Sequence, residues 1–147
     1  MLTHIVTELL PLLFFQELEM RRYQNNDNPQ YQGHENLETM SFATNYNRFL
    51  IEEIHRNAPK KTKKKIFDFG AGIGQFTEIW EDKNVDISAI EIDPELSKKL
   101  RDKDIRVANL DEIPASVADY VYSINVLEHI EDDEKILSKL FSCLKKG

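Results

Sequence analysis

The chain has 147 residues, about the size of one domain. Its hydrophobic share of 41% suffices for a core, and its formal net charge of −7 argues against nucleic-acid binding. The single cysteine, Cys143, has no partner for an intramolecular disulfide, which favours a reducing, cytoplasmic setting. The apolar runs near the N-terminus are too short and too interrupted to predict a membrane span.

The first part of the sequence, residues 1–58, shows helical periodicity and no strand signal. An apolar helix is predicted over residues 2–22 and a loop over residues 25–33. An amphipathic helix is predicted over residues 37–54, ending before Pro59. We therefore interpret residues 1–58 as a helical segment that serves as a lid.

From residue 59 onward the pattern changes to strands that alternate with helices. The predicted strands are KIFDF (65–69), VDISAIEI (85–92), IRVAN (105–109) and ADYVYSI (118–124). Such alternation indicates a parallel sheet with right-handed crossovers. Residues 59–147 are therefore predicted to form an α/β domain with helices flanking a parallel sheet.

Three helices are predicted after the first, second and fourth strands. The second of them begins at DPE, residues 93–95, where Asp caps, Pro takes the first turn and Glu favours the positive end of the helix dipole. The third has acidic residues at 131–134 and lysines at 145–146. The expected inward-facing residues are Phe76, Ile79 and Trp80 in the first helix, Leu96 and Leu100 in the second, and Ile136, Leu137, Leu140, Phe141 and Leu144 in the third.

The stretch FDFGAGIG contains three of the chain's five glycines within five positions. A glycine-rich turn between a strand and a helix lets backbone approach a ligand, and the helix N-terminus favours negative charge. Gly70, Gly72 and Gly74 have G-x-G-x-G spacing, and Gln75 stands where a dinucleotide fold wants glycine. Asp68, just before the turn, would repel a pyrophosphate and attract an amine.

This combination resembles motif I of the class I S-adenosylmethionine-dependent methyltransferases. Three further motifs follow in order: Glu91 at the end of the second strand, NLDEIP (109–114), and YVYSINVLEHI (120–130). The last is similar to the "LEH" helix start of the UbiE/UbiG-like, type 11/12 members. The resemblance covers residues 66–147 and implies a Rossmann-like fold that uses S-adenosyl-L-methionine to methylate a small molecule or a glycan or lipid intermediate.

By this resemblance, Asp68 reaches the methionine amine of the cofactor through water, and the glycine-turn backbone passes beneath the cofactor. Glu91 takes both ribose hydroxyls, and Asn109 with Leu110 holds adenine. The predicted cofactor-binding residues are Asp68, Gly70, Ala71, Gly72, Gly74, Glu91, Ile92, Asn109, Leu110 and Asn125. His129 is the candidate general base if the acceptor is a hydroxyl.

Each assignment has a purely structural alternative. Asp68 and Asn109 are also suited to capping local turns, Glu91 to a solvated strand end, and His129 to packing at a helix start. His34 and Tyr46, candidates for the lid, suit core or surface positions equally well.

Other functions remain open. A non-catalytic methyltransferase-like binding module and an NAD-dependent oxidoreductase are the alternatives, the second opposed by Gln75 and Asp68. Some relatives bind a metal through Glu-x-x-Glu-His at the fourth motif, but Asn125 replaces the first glutamate, so no metal site is predicted. The lysine-rich residues 60–65 are interpreted as a solvated linker rather than an RNA-binding site.

The family's sheet has seven strands, whereas this sequence supplies about four and ends at LKKG, where the fifth usually begins. We therefore expect an incomplete, C-terminally truncated domain, with an N-terminal helical extension. Such a chain is expected to bind cofactor weakly and to methylate poorly by itself. Oligomeric state is not indicated by the sequence.

Overall fold

A computed structural model describes residues 44–80 and 82–146. The predictions for the helix at 2–22, the loop at 25–33 and His34 lie outside the described residues. The elements are α1 (Thr44–Asn57), β1 (Lys64–Phe69), β2 (Val85–Ile90), α2 (Pro94–Asp102), β3 (Tyr120–Ser123) and α3 (Asp133–Cys143), with short 3-10 helices at Leu110–Glu112 and Leu127–His129. No helix in these two ranges is long and apolar enough to cross a membrane.

The sheet is parallel, with strand order β2-β1-β3, as the alternating pattern predicts. Ile66 of β1 pairs with Ile87 on one side and Tyr120 on the other. At the far end of β1, Phe69 pairs with Ile90 and with Ser123. The carboxyl ends of all three strands therefore share one edge, where the segments that follow them meet.

The third predicted strand, at residues 105–109, is reduced to one parallel bridge between Ala89 and Val107. Asp104 has a left-handed backbone (φ 61°), and Asn109 already caps the next 3-10 helix, so few residues remain for pairing. A second single bridge joins Ala118 to Leu144 beside β3. Within residues 44–80 and 82–146 the sheet thus has three full strands rather than four, with one bridge beyond each outer strand.

The helix predicted after the glycine stretch is wrong, because residues 71–80 form consecutive turns, hereafter the turn segment. Gly74 N–H donates to the Ala71 carbonyl, whereas Glu78 N–H donates to the Gly74 carbonyl. These three- and four-residue spacings do not continue into a regular helix. The expected inward residues Phe76, Ile79 and Trp80 still pack on a core cluster of Ile54, Ala58, Ile66, Tyr120 and Tyr122.

Helix α2 begins as the DPE sequence predicts. The Asp93 carboxylate accepts hydrogen bonds from the N–H groups of Glu95 (2.8 Å) and Leu96 (3.0 Å), with Pro94 in the first turn. Leu96 and Leu100 are buried, which confirms the predicted inward face. The capped start fixes the chain direction just beyond β2.

Helix α3 is confirmed as a helix, but its predicted inward face is partly wrong. Leu140 and Cys143 are buried and Ile136 packs on the same cluster, whereas Phe141 is 64% exposed. Residues 136, 140 and 143 follow the i, i+4, i+7 spacing of one helix face, and residue 141 lies about 100° away from residue 140. The buried face of α3 therefore includes Cys143, which was not predicted, and leaves out Phe141.

The lysine-rich residues 60–65 are not simply a solvated linker. Lys64 and Lys65 belong to β1, and Lys65 forms an ion pair with Asp86 at 3.0 Å. Lys61 lies 2.5 Å from the Asp119 carboxylate. Nearby, α1 ends as predicted before Pro59 and buries Ile54 against the sheet. The domain boundary at residues 58–59 stays a prediction.

Candidate functional site at the carboxyl edge of the sheet

The three glycines of the turn all have left-handed backbones, with φ of 74° at Gly70, 57° at Gly72 and 87° at Gly74. A Cβ atom at Gly70 would lie 2.3 Å from a Val126 methyl carbon, and one at Gly74 would lie 2.8 Å from Leu100. Backbone conformation and close packing therefore both require glycine at the first and third positions.

Glu91 follows β2 and faces the glycine turn. One of its carboxylate oxygens accepts from Gly72 N–H at 2.8 Å, and the other accepts from Asp93 N–H at 2.9 Å. Gly70 N–H also donates to the Ile90 carbonyl at 2.8 Å, which ties the turn to the end of β2. Because a carboxylate has about four lone-pair positions, Glu91 keeps acceptor capacity for two further donors.

Asp68 lies behind this turn and is only 2% exposed. Thr77 Oγ1 donates to its carboxylate at 2.6 Å. Burial raises the pKa of Asp68 to about 7, further raised by the Glu91 charge, while hydrogen bonds with Thr77 and Tyr122 oppose the rise. The structure thus places two carboxylates near one another at the strand ends and surrounds the inner one with neutral hydroxyl groups.

Three residues around Asp68 did not figure among the predicted site residues. Thr77 contacts Asp68 directly, and Tyr122 lies within hydrogen-bonding reach of it. Trp80 Nε1 in turn donates to the Tyr122 hydroxyl at 3.2 Å. The alternation of Tyr120 and Tyr122 in β3 is a signal for one buried face, and a buried phenol needs a polar partner.

The residues expected to hold adenine, Asn109 and Leu110, and the other predicted cofactor-binding residues, Ile92 and Ala71, were assigned to the same edge. Ile92, next to Glu91, is 88% exposed, and Leu110 is partly buried against the core. The Asn109 side-chain oxygen accepts from Asp111 N–H at 3.1 Å, and its amide group donates to Glu112. Asn109 therefore has the turn-capping role that was the alternative to ligand binding. Ala71, by contrast, is buried and packs with Ala89 and Leu100.

The loop after β3 carries the residues expected near the transferred group. Asn125 has a left-handed backbone (φ 55°), and its side chain lies near the Tyr46 hydroxyl of α1, which is buried and has no hydrogen-bond partner among the described residues. The pKa of Tyr46 is raised, mainly by burial and further by the Glu128 charge, while the nearby Asn125 side chain opposes the rise. Helix α1 thus lies close to this loop, and its role as a lid stays a prediction. His129 is exposed at the end of its 3-10 helix.

A surface depression of about 500 Å³ lies away from this edge. It is bounded by the turn segment, the start of β2 and the end of α2, with Thr77, Ile87 and Arg101 among its lining residues. Glu91 and the three glycines do not line it. The candidate site is therefore defined by the strand-end residues rather than by this depression.

The parallel sheet, the left-handed glycine turn and the strand-end acid hydrogen-bonded to it together have the architecture of a class I, Rossmann-like methyltransferase, the class that uses S-adenosyl-L-methionine. A family model described as a methyltransferase domain matches residues 42–147. The chain therefore belongs to this methyltransferase-domain family. No curated protein matches the chain significantly.

Solved structures agree with this fold. A proposed S-adenosyl-L-methionine-dependent methyltransferase from Methanococcus maripaludis is 19% identical, with a TM-score of 0.66 over 83% of this chain and 64% of its own. A proposed sarcosine dimethylglycine methyltransferase from Galdieria sulphuraria is 20% identical, with a TM-score of 0.62 over 72% of this chain and 45% of its own. The cyclase SpnF is 16% identical, with a TM-score of 0.60 over 69% and 42%. This chain therefore spans less than two thirds of each of these structures.

Proposed function

We propose that this chain carries the cofactor-binding half of an S-adenosyl-L-methionine-dependent methyltransferase that acts on a small molecule or on a glycan or lipid intermediate. The observation that carries the proposal is the Glu91 carboxylate, which accepts from Gly72 N–H at 2.8 Å. This contact joins the glycine turn and the strand-end acid into one surface. The bound cofactor would supply a methyl group already activated on a sulfonium.

Glu91 would hold the ribose of the cofactor. Its two backbone hydrogen bonds fix the carboxylate from behind and leave other lone pairs for a vicinal diol. Hydrogen bonds to a charged acceptor are worth about 1.5–3 kcal/mol each, so two of them would form a substantial part of the binding free energy. Gly72, with no side chain, would let the amino-acid portion of the cofactor approach the backbone.

Asp68 would face the positive amino group of the cofactor. It is nearly completely buried, and the nearby groups that act on it are two hydroxyls and the negative Glu91. A cation brought near this pair would relieve the repulsion and favour the charged form of Asp68. The contact would run through a bridging water, since the side chain itself is 2% exposed.

Adenine would lie against Ile92 and Leu110. Ile92 is 88% exposed, so its apolar side chain is accessible to a flat ring placed beside it. Asn109 would contribute the geometry of its capped turn more than its side-chain oxygen, because that oxygen already accepts from Asp111 N–H.

Asn125 and the neighbouring Ser123 would line the position of the methyl group, with Tyr46 closing over them from α1. Methyl transfer is an in-line displacement, so the main task of these residues is to orient the acceptor and to exclude water. His129 would act as general base for a hydroxyl acceptor; its exposure leaves it free to meet an incoming substrate.

Two other functions can be distinguished from methyl transfer by experiment. SpnF, a structure with a similar fold, is named as a cyclase, and one fold supports several kinds of chemistry. A non-catalytic or differently acting module is therefore the second hypothesis. An NAD-dependent oxidoreductase is opposed by Gln75 at the third glycine position and by the acidic pair Asp68 and Glu91.

Calorimetric titrations with S-adenosylhomocysteine and with NADH test the proposal. We expect binding of the first and none of the second, and loss of binding in Gly72→Leu and Glu91→Ala with far-UV helicity retained. The matched control is Glu95→Ala, one turn further on at the exposed start of α2. Equal binding by wild type and both site variants would overturn the site. Methyl transfer from labelled cofactor to a panel of hydroxyl and amine acceptors then separates an enzyme from a binding module.

A further inference from the structure

The hydroxyl of Tyr122 lies among three polar groups behind the glycine turn. It donates to the Phe76 carbonyl at 2.8 Å and accepts from Trp80 Nε1 at 3.2 Å. It also lies within hydrogen-bonding reach of the Asp68 carboxyl. A phenol carries one proton, so the Phe76 carbonyl and the Asp68 carboxylate compete for it.

Because both side chains are buried, the loss of either hydrogen bond of the Tyr122 hydroxyl is costly. Asp68 is 2% exposed and Tyr122 is 7% exposed, so bulk water is poorly placed to replace a lost hydrogen bond. An ionised carboxylate is a stronger acceptor than a backbone carbonyl, whereas a neutral carboxyl group is not. The position of the Tyr122 proton must therefore depend on whether Asp68 is charged.

We propose that Tyr122 is a positioning residue that couples the charge of Asp68 to the attachment of the turn segment. When Asp68 is neutral, the Tyr122 proton holds the Phe76 carbonyl and anchors the segment to β3. When Asp68 is ionised, the proton turns to the carboxylate and the hold on Phe76 weakens. The coupling to cofactor rests on the proposed function, in which an ammonium group favours the ionised form of Asp68.

Trp80 extends this network to helix α1. Its indole donates to Tyr122, and its ring meets the His55 ring edge-on, with centroids 4.8 Å apart and planes at 88°. The Lys64 ammonium lies 5.3 Å from the same indole. A change at Asp68 therefore reaches, through two side chains, the helix that carries Tyr46 over the loop after β3.

The chain has one tryptophan, so the emission of Trp80 reports on this network directly. The groups facing Asp68 are Glu91, Thr77 and Tyr122, and those facing Trp80 are His55 and Lys64. Because an imidazole changes charge near neutral pH, the experiment is performed in a His55→Phe background, which keeps an aromatic ring against Trp80.

Trp80 emission is recorded between about pH 5 and pH 9, without cofactor, in this parent and in two further variants. Tyr122→Phe removes the shared hydroxyl. Tyr120→Phe is the matched control, two residues away on β3 and equally buried, with its hydroxyl near the Glu53 charge instead. We expect a transition near pH 7 in the parent and in Tyr120→Phe, and its loss in Tyr122→Phe.

A transition that persists in Tyr122→Phe, or that is lost equally in Tyr120→Phe, overturns the proposal. If Tyr122→Phe does not fold, Asp68→Asn decides, because a transition that survives without the carboxylate has another origin. S-adenosylhomocysteine affinity is measured separately and is expected to fall about three- to tenfold in Tyr122→Phe and to be unchanged in Tyr120→Phe. If the His55→Phe parent binds no S-adenosylhomocysteine, the proposed function is contradicted. The pH dependence of Trp80 emission still tests the role of Tyr122 in that case.

Discussion

Asp68 and Asp119 are two nearly buried carboxylates in opposite electrostatic environments, at opposite ends of the sheet. Asp68 lies at the carboxyl edge and is 2% exposed, and the Asp119 side chain lies at the amino edge and is 5% exposed. Burial works to raise the pKa of both. The pKa of Asp68 reaches about 7, whereas that of Asp119 is held at about 2.

The difference comes from the groups that each carboxylate meets. Lys145 and Lys61 lie 2.7 Å and 2.5 Å from Asp119, and the Lys65 N–H donates to it at 2.8 Å. Asp68 lies within hydrogen-bonding reach of the Thr77 and Tyr122 hydroxyls, and the negative charge of Glu91 raises its pKa. The amino edge therefore supplies its own countercharges, whereas at the carboxyl edge Asp68 is surrounded by hydroxyl groups and a second carboxylate.

The largest effect that we expect from the different pKa values of Asp68 and Asp119 is on the pH dependence of stability. Because the folded-state pKa of Asp68 is above the unfolded value, the folded state binds more protons between about pH 4 and pH 7, and stability falls as the pH rises through that window. The shift from 3.8 to about 7 corresponds to at most about 4 kcal/mol. Chemical denaturation of wild type and Asp68→Asn across this range measures it; we expect the fall to be smaller in the variant, and parallel profiles would contradict the assignment.

Asp119→Asn is expected to have the opposite stability effect. The folded-state pKa of Asp119 is below the unfolded value, so its contribution is present above about pH 4 and is lost as the pH falls toward 2. Removing the charge should cost about 2–3 kcal/mol at neutral pH. Urea denaturation of this variant measures the loss, with Asp102→Asn, in an exposed pair with Lys98, as the near-neutral control.

We expect cofactor affinity to depend on Asp68 and not on Asp119. Asp68→Asn is expected to weaken S-adenosylhomocysteine binding about tenfold, or about 1.4 kcal/mol, because the amide offers no charge to the ammonium group. Asp119→Asn should leave the affinity of the folded fraction unchanged. Calorimetry at a temperature where both variants are folded decides, and equal losses in both would remove the distinction between the two edges.

We expect the smallest effect on stability and on cofactor affinity from Phe141→Ser. The Phe141 side chain is 64% exposed on α3. Stability should change by about 0.5 kcal/mol or less, and cofactor affinity should not change. A loss comparable to that of Asp119→Asn would show that the exposed face of α3 is covered in solution.

The sequence predicts the elements with local signals well. The Asp93 cap, the strands at 64–69, 85–90 and 120–123 and the glycine turn each have their signal in a few adjacent residues, and the structure has all of them. The helix after the glycine turn and the full strand at 105–109 were wrong, because left-handed residues and turn caps shorten elements whose apolar pattern still looks regular.

The candidate site was predictable from the sequence only for residues that belong to a recognisable motif. Glu91 beside the glycine turn is what the resemblance to the methyltransferase motifs implies, and the structure brings the two together. The partners of Asp68 were not predictable, since Thr77 and Tyr122 come from separate segments that meet only in three dimensions. Whether these residues bind cofactor remains a proposal.

A titration with S-adenosylhomocysteine, followed by amide proton–nitrogen NMR, tests directly whether the cofactor binds at the carboxyl edge. We expect the amides of Gly72 and Asp93, which donate to Glu91, to shift strongly, while the amides of Lys65 and Asp119 at the opposite edge stay in place. Shifts confined to the amino edge, or no saturable shift at Gly72 and Asp93, would contradict it.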